Sequence, residues 1–302
     1  MANFVLLALC FGLGLLARRF SGLPDDAPKV INVWVVWVAL PALVLRTVRT
    51  VTFEGQMLLG AAGLWLIFAV AAIIALIAVR QKRVSTQTAG ALLLCSALGN
   101  TVFVGLPLIE ALAGHEAMAT AAVIDQLGTF LALSILAVPM ATWLSGQQPS
   151  LKAVALRVLK FPPFLALMTA LLLRGLPFPE FVETVLGRLA DTLTPLTLVA
   201  LGFQWSLGAL AGHGRSLAVG LTYKLFVAPL MMLGLMVAVE HAVNRVAVLS
   251  VLQASMAPMI TAGVLTQEFE LNPRLATALI SIGIPLSFIT VPLWYYLLGA
   301  HS

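Results

Sequence analysis

The sequence predicts an all-α integral membrane protein of ten transmembrane helices, built as two inverted five-helix repeats whose fourth and ninth helices are interrupted. Three observations carry this: the chain is 61% hydrophobic and only 10% charged, it contains ten apolar runs of spanning length, and its second half echoes its first. An ordinary soluble domain is roughly 45–50% apolar and about 25% charged, so little of the 302 residues is left for a soluble domain. The basic residues behind the net charge of +5 fall in short clusters between apolar runs rather than in one patch, so they read as topology determinants and not as a nucleic-acid surface.

A spanning helix needs about 20 mainly apolar residues. Runs bounded by charge, proline or glycine lie at roughly 3–18, 29–47, 56–79, 87–110, 116–142, 155–173, 183–207, 216–239, 243–267 and 274–298. The first lacks a basic n-region and a cleavage site, so it counts as a span rather than a removed signal peptide. With ten spans, the loops after runs 1, 3, 5, 7 and 9 hold eleven Lys and Arg residues and the opposite side five, with Lys224 left inside a run. The positive-inside rule then expects both termini outside the cytoplasm.

The halves match in order and spacing. "LLARRFSGLPDD" (15–26) is echoed by "LLLRGLPFPE" (171–180), and Pro41 and Pro195 both lie in the second run of their half, 154 positions apart (195 − 41). The first repeat is taken as 1–150 and the second as 151–302. Five spans per repeat is an odd number, so the second copy enters the membrane from the opposite side, an arrangement common in secondary transporters.

The fourth run carries "ALGNTVFVGLPLI" (97–109), and Gly99, Gly105 and Pro107 there weaken a helix. Its counterpart, "VLQASMAPMITAGVLTQEF" (251–269), carries Pro258 and Gly263 with Gln253, Ser255 and Thr261 around them. Freed backbone groups are tolerated in a bilayer only where they face protein or a wet cavity. Matching interruptions in inverted halves therefore point to a substrate site near the midplane. Half-helix N-termini there would suit a carboxylate, with Asn100 and Thr101 supplying side-chain hydrogen bonds. Met256 and Met259 flank Pro258 and are candidates to line the cavity, against the plainer role of gap-filling.

These motifs, with ten spans and outside termini, resemble the auxin efflux carrier family, whose bacterial members are inner-membrane proteins of this size and which is related to the bile acid sodium symporters. The resemblance implies a scaffold domain from helices 1, 2, 6 and 7, a natural homodimer surface, and a transport domain from helices 3–5 and 8–10. Broken helices 4 and 9 would cross at the site. It also implies an elevator-type carrier of small organic anions, auxin in plants and dicarboxylates such as malate or malonate in some bacteria. The family's crossover asparagine and prolines match Asn100, Pro107 and Pro258. Ala257 and Met259 stand where the plant pattern has an asparagine in the ninth span, which speaks against auxin itself. The substrate-binding set expected is Asn100, Thr101, Gly105, Pro107, Met256, Pro258 and Thr261.

Asp125 and Gln126, in "AVIDQLGTF", form an intramembrane polar pair, and such a pair is a functional candidate by default. With Gln253 they are the candidates for coupling to Na+ or H+. Lys224, in "GLTYKLFVAP", has three readings: contact with the anion, pairing with Asp125, or snorkelling to the near membrane surface, which its position favours. Arg188 and Asp191, three apart, read as a structural ion pair. Trp34, Trp37, Trp65, Trp143, Trp205 and Trp294 lie in or near span ends, as interface anchors do.

His115, His213, His241 and His301 are scattered over loops and termini, so no metal cluster is expected, and Cys10 and Cys95 have no metal-ligand or CxxC spacing. No HExxH, GxSxG or phosphate-binding loop is present, which argues against an enzyme. The expectation is a secondary carrier without a cofactor. The rival readings are a channel and a sodium-coupled symporter for a larger amphipathic anion.

Overall fold

The structure, a computed structural model, describes residues 2–20, 22–51, 54–205, 214–241 and 243–299, with side chains from Val5 onward. His213 and His301 lie outside the described residues. The helices are α1 (Ala2–Phe20), α2 (Ala27–Val48), α3 (Gly55–Arg80), α4 (Thr86–Ala97), α5 (Thr101–Ala113), α6 (Ala117–Leu144), α7 (Leu151–Leu159), α8 (Pro162–Leu172), α9 (Glu180–Gln204), α10 (Gly214–Glu240), α11 (Arg245–Ser255), α12 (Ile260–Glu268) and α13 (Pro273–Leu297). Among the described residues the β-structure is a single isolated bridge. Length and hydropathy make α2, α3, α6, α9, α10 and α13 six spanning helices, or seven spans if the bent pair α7 and α8 is one more. The protein is a multi-pass membrane protein. The pairs α4/α5 and α11/α12 fall on the two interrupted runs, each half too short to span alone.

Helix ends follow from local chemistry. Ser85 caps α4 by accepting from the Thr88 N–H at 3.2 Å, and Asn244 caps α11 by accepting from Ala247 N–H at 2.9 Å. α3 ends with Lys82 at φ 53°, and its N–H and that of Arg83 return to Val79 O and Ala78 O, each at 2.9 Å. That is a Schellman closure, which fixes the direction of the chain leaving the helix. α10 also ends on a left-handed residue, His241 at φ 54°. Lys82 and His241 are 159 positions apart (241 − 82), and so are the caps Ser85 and Asn244 (244 − 85).

The chain forms two compact units. The first comprises Met1–Phe53, Val102–Gln126 and Leu159–Ser206, and so holds α1, α2, α8 and α9 with most of α5 and the start of α6. Within it α1 meets α9 at Gly14 and Gly202, where any Cβ would overlap the facing backbone carbonyls of Val199 and Phe11. Small residues let membrane helices approach this closely. Arg49, buried at the end of α2, bonds to Leu176 O and the Glu183 carboxylate and lies over the Phe178 ring.

The second unit comprises Glu54–Thr101, Leu127–Val158 and Leu207–Ser302. Leu93, Leu94 and Leu98 from the α4 side, Leu225 of α10, and Leu275 and Leu279 of α13 form its apolar core with Phe68 of α3. Trp65 donates to Leu127 O at 3.0 Å and Trp294, buried, to Leu225 O at 2.9 Å. These two are therefore packing residues rather than interface anchors, whereas Trp37 and Trp143 are exposed.

Candidate functional site: a paired break in two helices

Leu98 to Asn100 and Met256 to Met259 leave their helices in extended conformation, with Leu98 at φ −91°, ψ 127° and Met256 at φ −62°, ψ 158°. The two segments run antiparallel, with Gly99 opposite Pro258. Asn100 N–H donates to Ala257 O at 2.8 Å, and Met259 N–H donates to Leu98 O at 3.1 Å. Each break thus satisfies backbone groups that the other frees, as hydrocarbon surroundings demand. Pro258 sits where no donor is needed, so its missing N–H leaves nothing unpaired. Gly99 and Pro258 are again 159 positions apart (258 − 99). Shifting either hydrogen bond by that amount yields the other.

This geometry corrects the placement of the breaks. Pro107 lies inside the continuous helix α5, just after its winding changes at Gly105, so the chain leaves helical conformation at Leu98–Asn100 and not at the proline. Between Thr101 and Gly105 the winding is π-helical. Gly263 lies inside α12, where a Cβ would press on Ile280. Gly105 and Pro107 belong to the first unit, while Asn100, Thr101, Gln253, Met256 and Pro258 belong to the second and are buried around the bridge. Thr261, the second residue of α12, is partly exposed.

Lys224 completes the arrangement. It lies in a π-wound stretch of α10, Tyr223–Val227, is 1% exposed, and its Nζ donates to Ala254 O at 2.9 Å. Snorkelling is therefore overturned: the amine turns inward to the carbonyl end of α11, where the helix dipole favours a cation. A Cβ on Gly99 would sit 3.1 Å from that Nζ, so the glycine makes room for it. Asn100 Nδ2 is buried and has no hydrogen-bond partner among the described residues. The Pro258 ring rests on Gly283 of α13, where a Cβ would lie 2.7 Å from Cγ.

Asp125 and Gln126 stand where α6 passes into a π-wound stretch, Asp125–Phe130, and π-bulges often mark functional positions. Both are buried, and Gln126 Nε2 donates to Asp125 Oδ2 at 2.8 Å. Arg188 and Asp191 form no ion pair. Both are exposed. The helical spacing is kept, since Asp191 N–H still donates to Gly187 O at 2.9 Å, but the two solvated side chains do not meet.

Sequence reasoning passed over Glu110, which accepts from Thr194 Oγ1 at 2.6 Å and lies 2.9 Å from His115 Nδ1. With Pro107, Met118 and Asp191 they line a cavity of about 210 Å³ in the first unit. His115 is only five residues on, but the partner that ties Glu110 into the unit, Thr194, comes from α9, 84 positions away. Among the described residues no group of three His, Cys, Asp or Glu could hold a metal ion.

Two broken helices that pair their backbones among membrane-spanning helices, with buried polar donors beside the breaks, belong to a membrane transport protein. The family model described as "Membrane transport protein" matches residues 1–295. The chain belongs to that family, the auxin efflux carrier-like family that its interrupted runs resemble. It is 25% identical over 286 residues to an uncharacterized transporter of Methanothermobacter thermautotrophicus, covering 93% of each chain. It is 24% identical over 294 residues to an uncharacterized transporter of Methanocaldococcus jannaschii, covering 94% of each.

Proposed function

We propose that this protein is a secondary transporter that carries a small organic anion, a mono- or dicarboxylate of the malate or malonate kind, across the plasma membrane by elevator-type alternating access. The observation that carries the reading is the pair of buried donors beside the breaks. Among the described residues Lys224 Nζ bonds a neutral carbonyl and Asn100 Nδ2 has no hydrogen-bond partner, so the second unit offers a carboxylate an amine and an amide together. The start of α12 adds backbone N–H groups to this environment.

The 159-residue periodicity, met at the αL residues, the caps and the bridge, supports ten spans in two inverted repeats. The two-unit division supports part of a mobile core: α1, α2, α8 and α9 lie in one unit and α3, α4 and α10–α13 in the other, while most of α5 and the start of α6, expected in the core, fall with the first unit. Asp125 and Gln126 are the coupling candidates for Na+ or H+.

The test is counterflow in proteoliposomes loaded with unlabelled malate, following labelled malate with and without sodium. Saturable accumulation that Asn100→Ala lowers at least tenfold is the expected result. Counterflow unchanged in Asn100→Ala removes that residue from the site. Conductance without saturation or counterflow replaces the carrier with a channel.

A further inference from the structure

A second cavity lies wholly within the second unit and is separate from the paired break. It has a volume of about 580 Å³ and is bounded by α3, α4 and α10, a size within the usual range for small-molecule sites. Its walls are apolar: Ala71, Ile74, Ala75 and Ala78 of α3, Leu92 and Leu93 of α4, and Val219 of α10. Two arginines line it, Arg83 and Arg215, and no acidic residue does. Neither arginine takes part in an ion pair among the described residues.

The positions of these groups give the cavity a polarity. Arg83 immediately follows the Schellman closure of α3 and precedes the Ser85 cap of α4, so its backbone is held from both sides. Arg215 lies in the first turn of α10. Both therefore belong to helix ends. Ser96 is ten residues into α4, roughly 15 Å deeper at 1.5 Å per residue. Its hydroxyl is buried, lines the cavity and has no hydrogen-bond partner. The other deep hydroxyl, that of Tyr223, is already spent on Ile67 O at 2.6 Å. The cavity thus has two exposed arginines that form no ion pair among the described residues at its helix-end mouth, an apolar middle, and the Ser96 hydroxyl deeper in.

We infer that this cavity binds a free amphipathic organic acid whose carboxylate sits on Arg83 and Arg215, whose apolar body lies between α3, α4 and α10, and whose far end carries a hydrogen-bonding group for Ser96. A guanidinium group binds a carboxylate by charge and can do so bidentately, and two of them line this cavity. A buried polar group left unmet discriminates strongly between ligands that do and do not satisfy it. An acid with a terminal hydroxyl is therefore preferred over the same acid without one. This site stands apart from the proposed carrier site and does not depend on it.

The experiment measures binding of lauric acid and its ω-hydroxy derivative to the purified full-length chain in phosphatidylcholine nanodiscs. Saturable binding is expected, with the ω-hydroxy acid held about tenfold more tightly. Ser96→Ala should abolish that preference while leaving lauric acid affinity within about twofold. The double variant R83Q/R215Q should weaken both acids at least tenfold, and Ala75→Phe, which fills the middle of the cavity, should do the same. Thermal unfolding run alongside checks that each variant is folded.

Equal affinity of wild-type protein for the two acids overturns the role of Ser96. Affinities unchanged in R83Q/R215Q overturn the site. A third arm adds phosphatidylglycerol: displacement of phosphatidylglycerol by the free acids supports the inference. Retention of phosphatidylglycerol that neither acid displaces overturns it in favour of a bound lipid headgroup.

Discussion

The two breaks share one backbone device and differ in what surrounds it. On the α4/α5 side the extended segment holds a glycine and an asparagine, and the chain resumes through a π-wound turn. On the α11/α12 side it holds a proline between two methionines and resumes as regular helix. The hydrogen bonds between them are equivalent under a shift of 159 positions, yet the polar groups are not. Gly99 leaves space for Lys224 and Asn100 offers an unpaired amide, while Pro258 presses an apolar ring on Gly283. The comparison separates two environments: one break carries unpaired polar groups, which the proposed function uses, and the other is packed against α13.

If the proline side is the rigid one, crowding it should do the most damage. Gly283→Leu places a side chain where the Pro258 ring stands, and ring and helix backbone have little room to yield. Overpacking typically costs about 1–3 kcal/mol and more where the neighbours cannot move. A large fall in detergent melting temperature and in monodisperse yield is expected. A variant as stable as wild type would show that the proline contact is not a constraint.

Lys224→Met separates stability from function. Replacing a buried charged group by an apolar one of similar volume is often neutral or stabilising, although here Ala254 O loses a donor. The expected pattern is a melting temperature near or above wild type together with anion counterflow lowered at least tenfold. A lowered melting temperature with intact counterflow would make the lysine a cap for α11 and nothing more.

Pro258→Ala restores an N–H opposite Gly99, at a position in the bridge where the partner strand offers it no bond. An unmet buried donor costs about 1–3 kcal/mol, so a moderate loss of stability is expected in the same unfolding assay. Gly99→Ala is its counterpart: the new Cβ would sit 3.1 Å from Lys224 Nζ, so it should disturb anion binding more than stability.

The interruptions were legible because glycine, asparagine and proline are costly in an apolar run, but their exact position was not. Pro107 reads as the breaker, yet α5 runs on through it with a change of winding at Thr101–Gly105, and the chain opens eight positions earlier at Gly99. Sequence position placed Lys224 near a span end, which says how far the amine could reach and not which way it turns. Its direction is set by the carbonyl end of α11, thirty residues later. Arg83, Ser96 and Arg215 share a cavity only because α3, α4 and α10 pack together, and no local pattern announces that. Trp294 likewise resembled a surface anchor until the Leu225 carbonyl was seen to take its N–H.

The smallest effect belongs to the pair that spacing suggested and the fold does not make. Arg188 and Asp191 are three residues apart on one helix, but both side chains are exposed and they do not meet. Exposed pairs contribute about 0–1 kcal/mol even when formed, and surface substitutions away from special features usually stay within about 0.5 kcal/mol. Arg188→Gln should therefore leave melting temperature and counterflow unchanged. By contrast, Arg49→Gln in the same unit removes a buried guanidinium from Leu176 O, the Glu183 carboxylate and the Phe178 ring, and should lower the melting temperature clearly. Equal effects from the two substitutions would mean that burial does not separate the arginines of this unit, and that the Arg49 contacts contribute no more than a solvated charge.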